Sequence, residues 1–456
     1  MFIAARSSAL TASAVRSNVG RKGAILGRST TVAQRGFSTA QAESIPIAAS
    51  AGEGAKTAAI TVAIKAGPRF ESTPGVAHVL KNFTFKSNAR RSALAIVREA
   101  ELNGGILSTA LSKEHLLLTA EFLRGDEDFF VQILGDVLSS SKLASHEFKE
   151  EVLPSVQSEY ESALNQPNVL GFDSLTQTAY RQRGLGASLF ASPSSPVSYS
   201  QSVAFARSVF AKDNIAVVGT GIESASLQKL VSTYFKDVAP SKGSVQAGSK
   251  QYFGGDARVA YTPHHGDDSP RSHFGHYFLA FEGGAVDASP ELAVLRSHLG
   301  GENSVKWSSG LSPLSKVAES VEGSTVNAFN INFTDSGLFG VYVTAPHAQL
   351  QQVVKSAAQA IKETSKSLSK EDLEKAKAKA KFEAAAALET RAGVHAAVAG
   401  QLLEGKKVQL LEETFSKIDG VSASGLASAA DKALKTKATT VAVGDVHKLP
   451  YADEVL

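Results

Sequence analysis

Two stretches of this 456-residue chain repeat one another at a fixed interval, and that repetition limits the fold more than any other feature. Phe129–Leu138 carries apolar residues at helical spacing and runs through a Ser-rich turn into a second helix containing Glu159. About 220 residues later Leu350–Ile361 does the same. Its Ser-rich turn ends at Ser369, placed to N-cap the next helix with Asp372 three residues on. Each half then closes on a short apolar strand, Ile215–Gly219 and Thr440–Gly444, about 225 residues apart. Each half also opens on strand pattern, Ala59–Lys65 in the first and His276–Phe281 in the second. Strands, a helix pair and a closing strand predict an α+β fold. The expected architecture is two homologous domains, each a mixed β-sheet with helices packed on one face, facing each other across a cleft.

The boundaries follow from composition. Residues 239–255 are rich in Gly, Ser and Pro and read as a flexible linker between a domain at 38–238 and another at 256–456. Residues 1–37 stand apart. They hold Arg6, Arg16, Arg21, Lys22, Arg28 and Arg35 among many Ser, Ala and Thr, and no acid occurs before Glu43. That is the composition of a mitochondrial presequence, with Arg35-Gly-Phe-Ser38 placing the cut near Ser38 and the first core strand near Ala58.

Removing that segment changes the charge argument. The whole chain has 47 basic and 44 acidic residues, but the remainder has 41 against 44, about −3, which leaves no basic surface of the kind that binds nucleic acid. No run of about 18 uncharged apolar residues occurs, so no transmembrane helix is expected. The absence of Cys excludes disulfides, thiolate metal sites and Cys nucleophiles.

The chemistry-bearing stretch is Gly75-Val-Ala-His78-Val-Leu-Lys81-Asn82. An inverted zinc motif reads His-x-x-Glu-His on one helix, its two His binding the metal and its Glu activating a water. Here His78 stands alone. Lys81 occupies the place of the general base with a group that is cationic at neutral pH, and Asn82 replaces the second imidazole with an amide.

The run from Ala58 through Gly67-Pro-Arg-Phe-Glu71, His78 and Phe83-Thr-Phe-Lys86 resembles the opening of the pitrilysin and mitochondrial processing peptidase family. Glu101-Leu-Asn-Gly-Gly105, Ser112-Lys-Glu-His115, Gly184–Phe190, Asn214–Gly219 and Leu449–Leu456 extend the likeness over residues 45–456. In active relatives a Glu some eighty residues after the His pair is the third ligand. Glu159 falls near that position, and a one-residue gap would substitute Glu161. One His and one Glu do not make a catalytic zinc site. The resemblance therefore implies a noncatalytic member of the family, with His78, Lys81, Asn82 and Glu159 as relict positions, no metal and no cofactor. It further implies a peripheral, matrix-side core subunit of a respiratory assembly in the mitochondrial inner membrane, beside a homologous core chain and subunits that carry haem and iron–sulfur. The alternative it leaves open is a subunit, catalytic or not, of a mitochondrial processing peptidase.

Three other features have plainer explanations. His264, His265, Asp267, Asp268, His273 and His276 fit no zinc spacing and read as a loop running into a strand. The Lys-rich run Glu371–Leu388 is a strong helix former whose alternating charges solvate an exposed face. Leu299–Trp307 lacks both a phosphate-loop pattern and the long glycine loop of the noncatalytic processing-peptidase subunit.

Overall fold

The computed structural model describes residues 36–456 apart from 53, 241–242, 244, 263–272, 287, 302–309, 365–367 and 410. His264, His265, Asp267, Asp268 and most of Leu299–Trp307 thus lie outside the described residues, as does the presequence segment up to residue 35.

The first half runs β1 (Ser38–Ala42), β2 (Ile45–Ser50), β3 (Thr57–Ile64), α1 (Val76–Phe83), α2 (Ala93–Leu102), β4 (Ile106–Leu111), β5 (Leu116–Leu123) and α3 (Glu127–Ser139). It continues with α4 (Ser145–Glu147), α5 (Leu153–Leu164), α6 (Pro167–Ala179), α7 (Tyr199–Val209), β6 (Ile215–Thr220) and α8 (Ser224–Tyr234). The second half runs β7 (Gly255–Ala260), β8 (Phe274–Glu282), α9 (Pro290–Leu299), α10 (Pro313–Glu319), β9 (Thr325–Asn332), β10 (Gly337–Pro346) and α11 (His347–Thr364). After it come α12 (Lys370–Ala387), α13 (Arg391–Leu403), α14 (Leu411–Asp419), α15 (Ala423–Lys435), β11 (Thr439–Gly444) and α16 (Ala452–Val455).

The repeat is exact in topology. The first sheet has the order β1-β2-β6-β3-β5-β4 and the second β7-β11-β8-β10-β9. Without β1 the two orders superpose strand for strand. In each, the closing strand pairs parallel to the first (β6 with β2, β11 with β7) and antiparallel to the next (β3, β8), so both sheets are mixed. Ser369 caps α12 as its pattern predicts, accepting from Asp372 N at 3.0 Å.

One sequence expectation is corrected. The first core strand is not near Ala58: β1 and β2 precede it, and Ile45, Ile47, Ala48 and Ala49 are already fully buried. Pro46 and the run of small residues masked the strand signal, and β2 is held by its long-range parallel pairing with β6 rather than by local propensity.

Each sheet carries helices of its own half on one face. In the first half α1, α3, α7 and α8 bury Val79, Leu80, Leu134, Phe205 and Leu227 against Ile60, Val62 and Leu118. The other face is closed by a helix from the opposite half. α13 sets Val394, Val398 and Leu402 on Ala48, Ala63, Ala216 and Val218 of the first sheet. Reciprocally, α6 sets Leu175 and Ala179 on Phe278, Ala280, Val441 and Val443 of the second. Gly171 allows this approach, because a Cβ there would lie 2.0 Å from the Phe278 ring.

The halves are also tied by charge. Arg69 bridges Glu114 (2.5 Å) and Asp335 (2.7 Å), and Glu114 accepts from Thr334 N at 3.0 Å. The Gly/Ser-rich segment between the halves is pinned to the first: Gly248 N donates to Arg69 O (3.0 Å), and Leu185 N donates to Ser249 O (3.3 Å).

Candidate functional site

The site is built on α1, which starts without a side-chain cap because its N-cap is Gly75, a residue whose φ of 85° suits glycine. Glu71 supplies the missing acceptor. Its carboxylate takes Gly75 N at 3.0 Å and Ala77 N at 3.2 Å. Burial pushes this carboxyl up to about 7 against the pull of those two hydrogen bonds. Gly75 also lets residues 184–191 lie across the helix, since a Cβ there would meet Ala191 Cα at 2.6 Å.

The overlying segment orients His78, which is 2 % exposed. Ala191 N donates to His78 Nδ1 at 3.1 Å, and the Phe190 ring stands edge-on at 5.6 Å. A backbone N–H can only donate, so Nδ1 holds the lone pair and Nε2 carries the proton. Nε2 in turn donates to Glu159 Oε2 at 2.5 Å.

Glu159 comes from α5 and collects every donor in reach. Lys81 Nζ lies 2.8 Å from Oε1 and 2.7 Å from Oε2, while Asn82 Nδ2 lies 3.4 Å from Oε2 and donates to His78 O at 3.2 Å. Burial raises the Glu159 carboxyl, but the hydrogen bonds from His78 and Lys81 and the Lys81 charge outweigh it and hold it down at about 2. Glu161 points away. It is exposed and accepts from Gln157 Nε2.

All four sequence-predicted residues therefore meet, but in an arrangement that does not fit zinc. The nitrogen that would face a metal is protonated, the carboxylate is engaged on both oxygens by an ammonium, and the amide is turned to donate. Among the described residues no group of three or more His, Asp or Glu could hold a metal ion. What the cluster can do chemically is hold α1 to α5. Glu159 stays ionised as an acceptor, so it is unsuited to take a proton near neutral pH.

Sequence reasoning missed the buried charges beside the site. Lys113 and Asp173 pair at 2.6 Å, with Lys113 also donating to Ala187 O and Asp173 accepting from Ser188 Oγ and Leu189 N. Burial raises the Asp173 carboxyl, and Lys113 more than reverses this. This pair fixes the base of the 184–191 segment, so it supports His78 at one remove. No local pattern marks it, because its partners lie 60 residues apart.

Of the histidine group, His276 is described as part of β8, where Nδ1 meets Tyr342 OH at 2.7 Å, and His273 O accepts from His347 Nδ1 at 2.5 Å. Nδ1 of His276 is thus satisfied within the fold, whereas His273 takes part through its backbone carbonyl. On α12, Lys375, Lys377 and Lys381 pair with Glu371, Glu374 and Asp419, as expected of a solvated helix face.

The chain is similar to known proteins over nearly its whole length. Residues 47–192 match the insulinase family (peptidase family M16), and residues 196–380 match the peptidase M16 inactive domain. It is 42 % identical to the mitochondrial cytochrome b-c1 complex subunit 2 of Cryptococcus neoformans var. grubii, over 92 % of this chain and 95 % of that protein. The proteins of the same description from Neurospora crassa and Yarrowia lipolytica are 36 % and 35 % identical, each over 93 % of this chain and over 94 % and 98 % of their own lengths.

Proposed function

We propose that this chain, which belongs to peptidase family M16 and within it to the mitochondrial cytochrome b-c1 complex subunit 2 group, is a noncatalytic core subunit of ubiquinol–cytochrome c reductase (complex III). The observation that carries the reading is the closure of Glu159 by Lys81 and a proton-bearing His78 Nε2, which leaves neither a metal site nor a base. A large two-domain body kept without that chemistry serves assembly. Its partners are the homologous core 1 subunit and the haem and iron–sulfur subunits, which hold the redox centres; the chain itself needs no cofactor. Attachment to the inner membrane is peripheral, through those partners on the matrix side; among the described residues no helix is long and apolar enough to cross a membrane.

Native electrophoresis of a mild-detergent extract of mitochondria, with mass spectrometry of the band holding this chain, tests the reading. The expected result is co-migration with core 1 and the haem-bearing subunits, and loss of assembled reductase when the chain is deleted. Migration as a free matrix heterodimer, with intact reductase and accumulating precursors on deletion, would establish the processing-peptidase alternative instead.

A further inference from the structure

We infer that the Lys81 ammonium is a built-in cation occupying the place a metal would take, and that it makes the former site a permanent tie between α1 and α5. This rests on the noncatalytic reading above and explains what holds the cluster together once no metal does. A half-buried carboxylate facing a buried imidazole needs a compensating positive charge. Lys81 supplies it from within the chain. It lies one turn beyond His78 on the same face of α1, with its nitrogen spanning both Glu159 oxygens at 2.8 and 2.7 Å.

The second half, built on the same topology, carries the same device independently. Glu383 stands 224 residues after Glu159, and the buried pair Ala376 and Ala380 stands at the same interval from Val152 and Val156. Glu383 lies on α12, the counterpart of α5, and reaches α9, the counterpart of α1. There Arg296 Nη1 and Ser297 Oγ each lie 2.7 Å from Oε2. No histidine takes part in that contact. One carboxylate on the long helix and one side-chain cation on the helix after the central strand is thus the shared tie of both halves. In the first half Lys81 brings the former metal site to the arrangement that the second half builds with Arg296.

The test melts the full chain and the variants Lys81→Ala, Lys81→Met, Lys81→Arg and Glu159→Gln, each in ethylammonium chloride or in sodium chloride at equal ionic strength. Lys81→Ala is expected to melt several degrees below the wild type and to recover part of that loss in ethylammonium, which fits the vacated place. The wild type and a Lys81→Ala/Glu159→Gln double variant are expected to show no such recovery. Lys81→Met, which keeps the stem without the charge, is expected to melt low, and Lys81→Arg close to the wild type. If Lys81→Ala does not fold, the Lys81→Met and Lys81→Arg pair decides. Wild-type melting of Lys81→Met, or a Lys81→Ala protein indifferent to ethylammonium, overturns the built-in cation while leaving the noncatalytic reading intact. Zinc near one per wild-type chain by elemental analysis overturns that reading as well.

Discussion

Thr61 and His395, 334 residues apart in sequence, meet through a 2.6 Å hydrogen bond from the centre of the first sheet to the helix that the second half lays over it. The same imidazole reaches Thr220 Oγ1 at 3.0 Å through its other nitrogen. A neutral ring can donate to one hydroxyl and accept from the other. Burial, with Arg391 adding to it, lowers His395 to about 4.

Acid is therefore expected to loosen the contact between the halves. The unfolded imidazole binds its proton near pH 6.5 and the folded one only near pH 4. Stability is then flat above about pH 6.5 and falls as pH drops toward 4, by roughly 3 kcal/mol for this residue. Denaturant unfolding at a series of pH values should show the slope, and His395→Gln, which keeps a donor and an acceptor without titrating, should remove this residue's share of it. His276, lowered to about 4 by burial and by His347, adds an equal slope, and His115 and His298, lowered by burial, add to it, while Glu71, raised to about 7 by burial, opposes it between about pH 4.5 and 7.

Glu159 acts in a lower window with the same sign. Its carboxyl is held at about 2, below the ordinary value of 4.5, so its contribution is complete above pH 4.5 and is lost as pH falls from there toward 2. Glu159→Gln should flatten that limb and cost about 1–3 kcal/mol at neutral pH by leaving the Lys81 ammonium unpaired. A double-mutant cycle with Lys81→Met should give a coupling of about 1 kcal/mol or more; additive effects would show that the two side chains act separately.

Gly171→Ala is expected to damage the second sheet from within the first half. The new Cβ collides with the Phe278 ring, and overpacking of this kind costs about 1–3 kcal/mol or more. Hydrogen exchange should show amides of β8 and β11 losing protection, and Phe278→Leu should restore part of it. Because α6 and α13 are exchanged, calorimetry of the wild type should show one cooperative transition; two separate transitions would contradict the coupling.

The N-terminus of the protein isolated from mitochondria is expected within a few residues of Ser38. The acid-free, Arg-rich segment ends there, and β1 begins at Ser38 with the pairing Ser38↔Ala49. N-terminal sequencing that recovers Met1 from the assembled protein would refute the presequence.

Residues that act through neighbours in the chain are legible in the sequence itself. The helix pairs, the closing strands and the Ser369 cap depend on short-range periodicity and capping. His78, Lys81 and Asn82 share one helix face because they stand at i, i+3 and i+4. The choice of Glu159 over Glu161 is not legible there, since two residues along α5 turn a side chain by about 200°, from α1 toward solvent, and only packing fixes that rotation. Nor are β1 and β2: β2 takes its parallel partner β6 about 170 residues away, and β1 is an edge strand on β2. The exchange of α6 and α13 leaves one trace in the sequence, the near-continuous apolar and small-residue runs of β3, β6 and β11, which mark strands covered on both faces. That pattern says a second layer exists, but it does not say which helix supplies it. Sequence determined the repeating unit and the loss of the zinc motif, because both are local. Tertiary structure alone decided which half covers which sheet and where each buried charge finds its counter-charge, because those contacts join residues far apart in the chain and exist only once both sheets have formed.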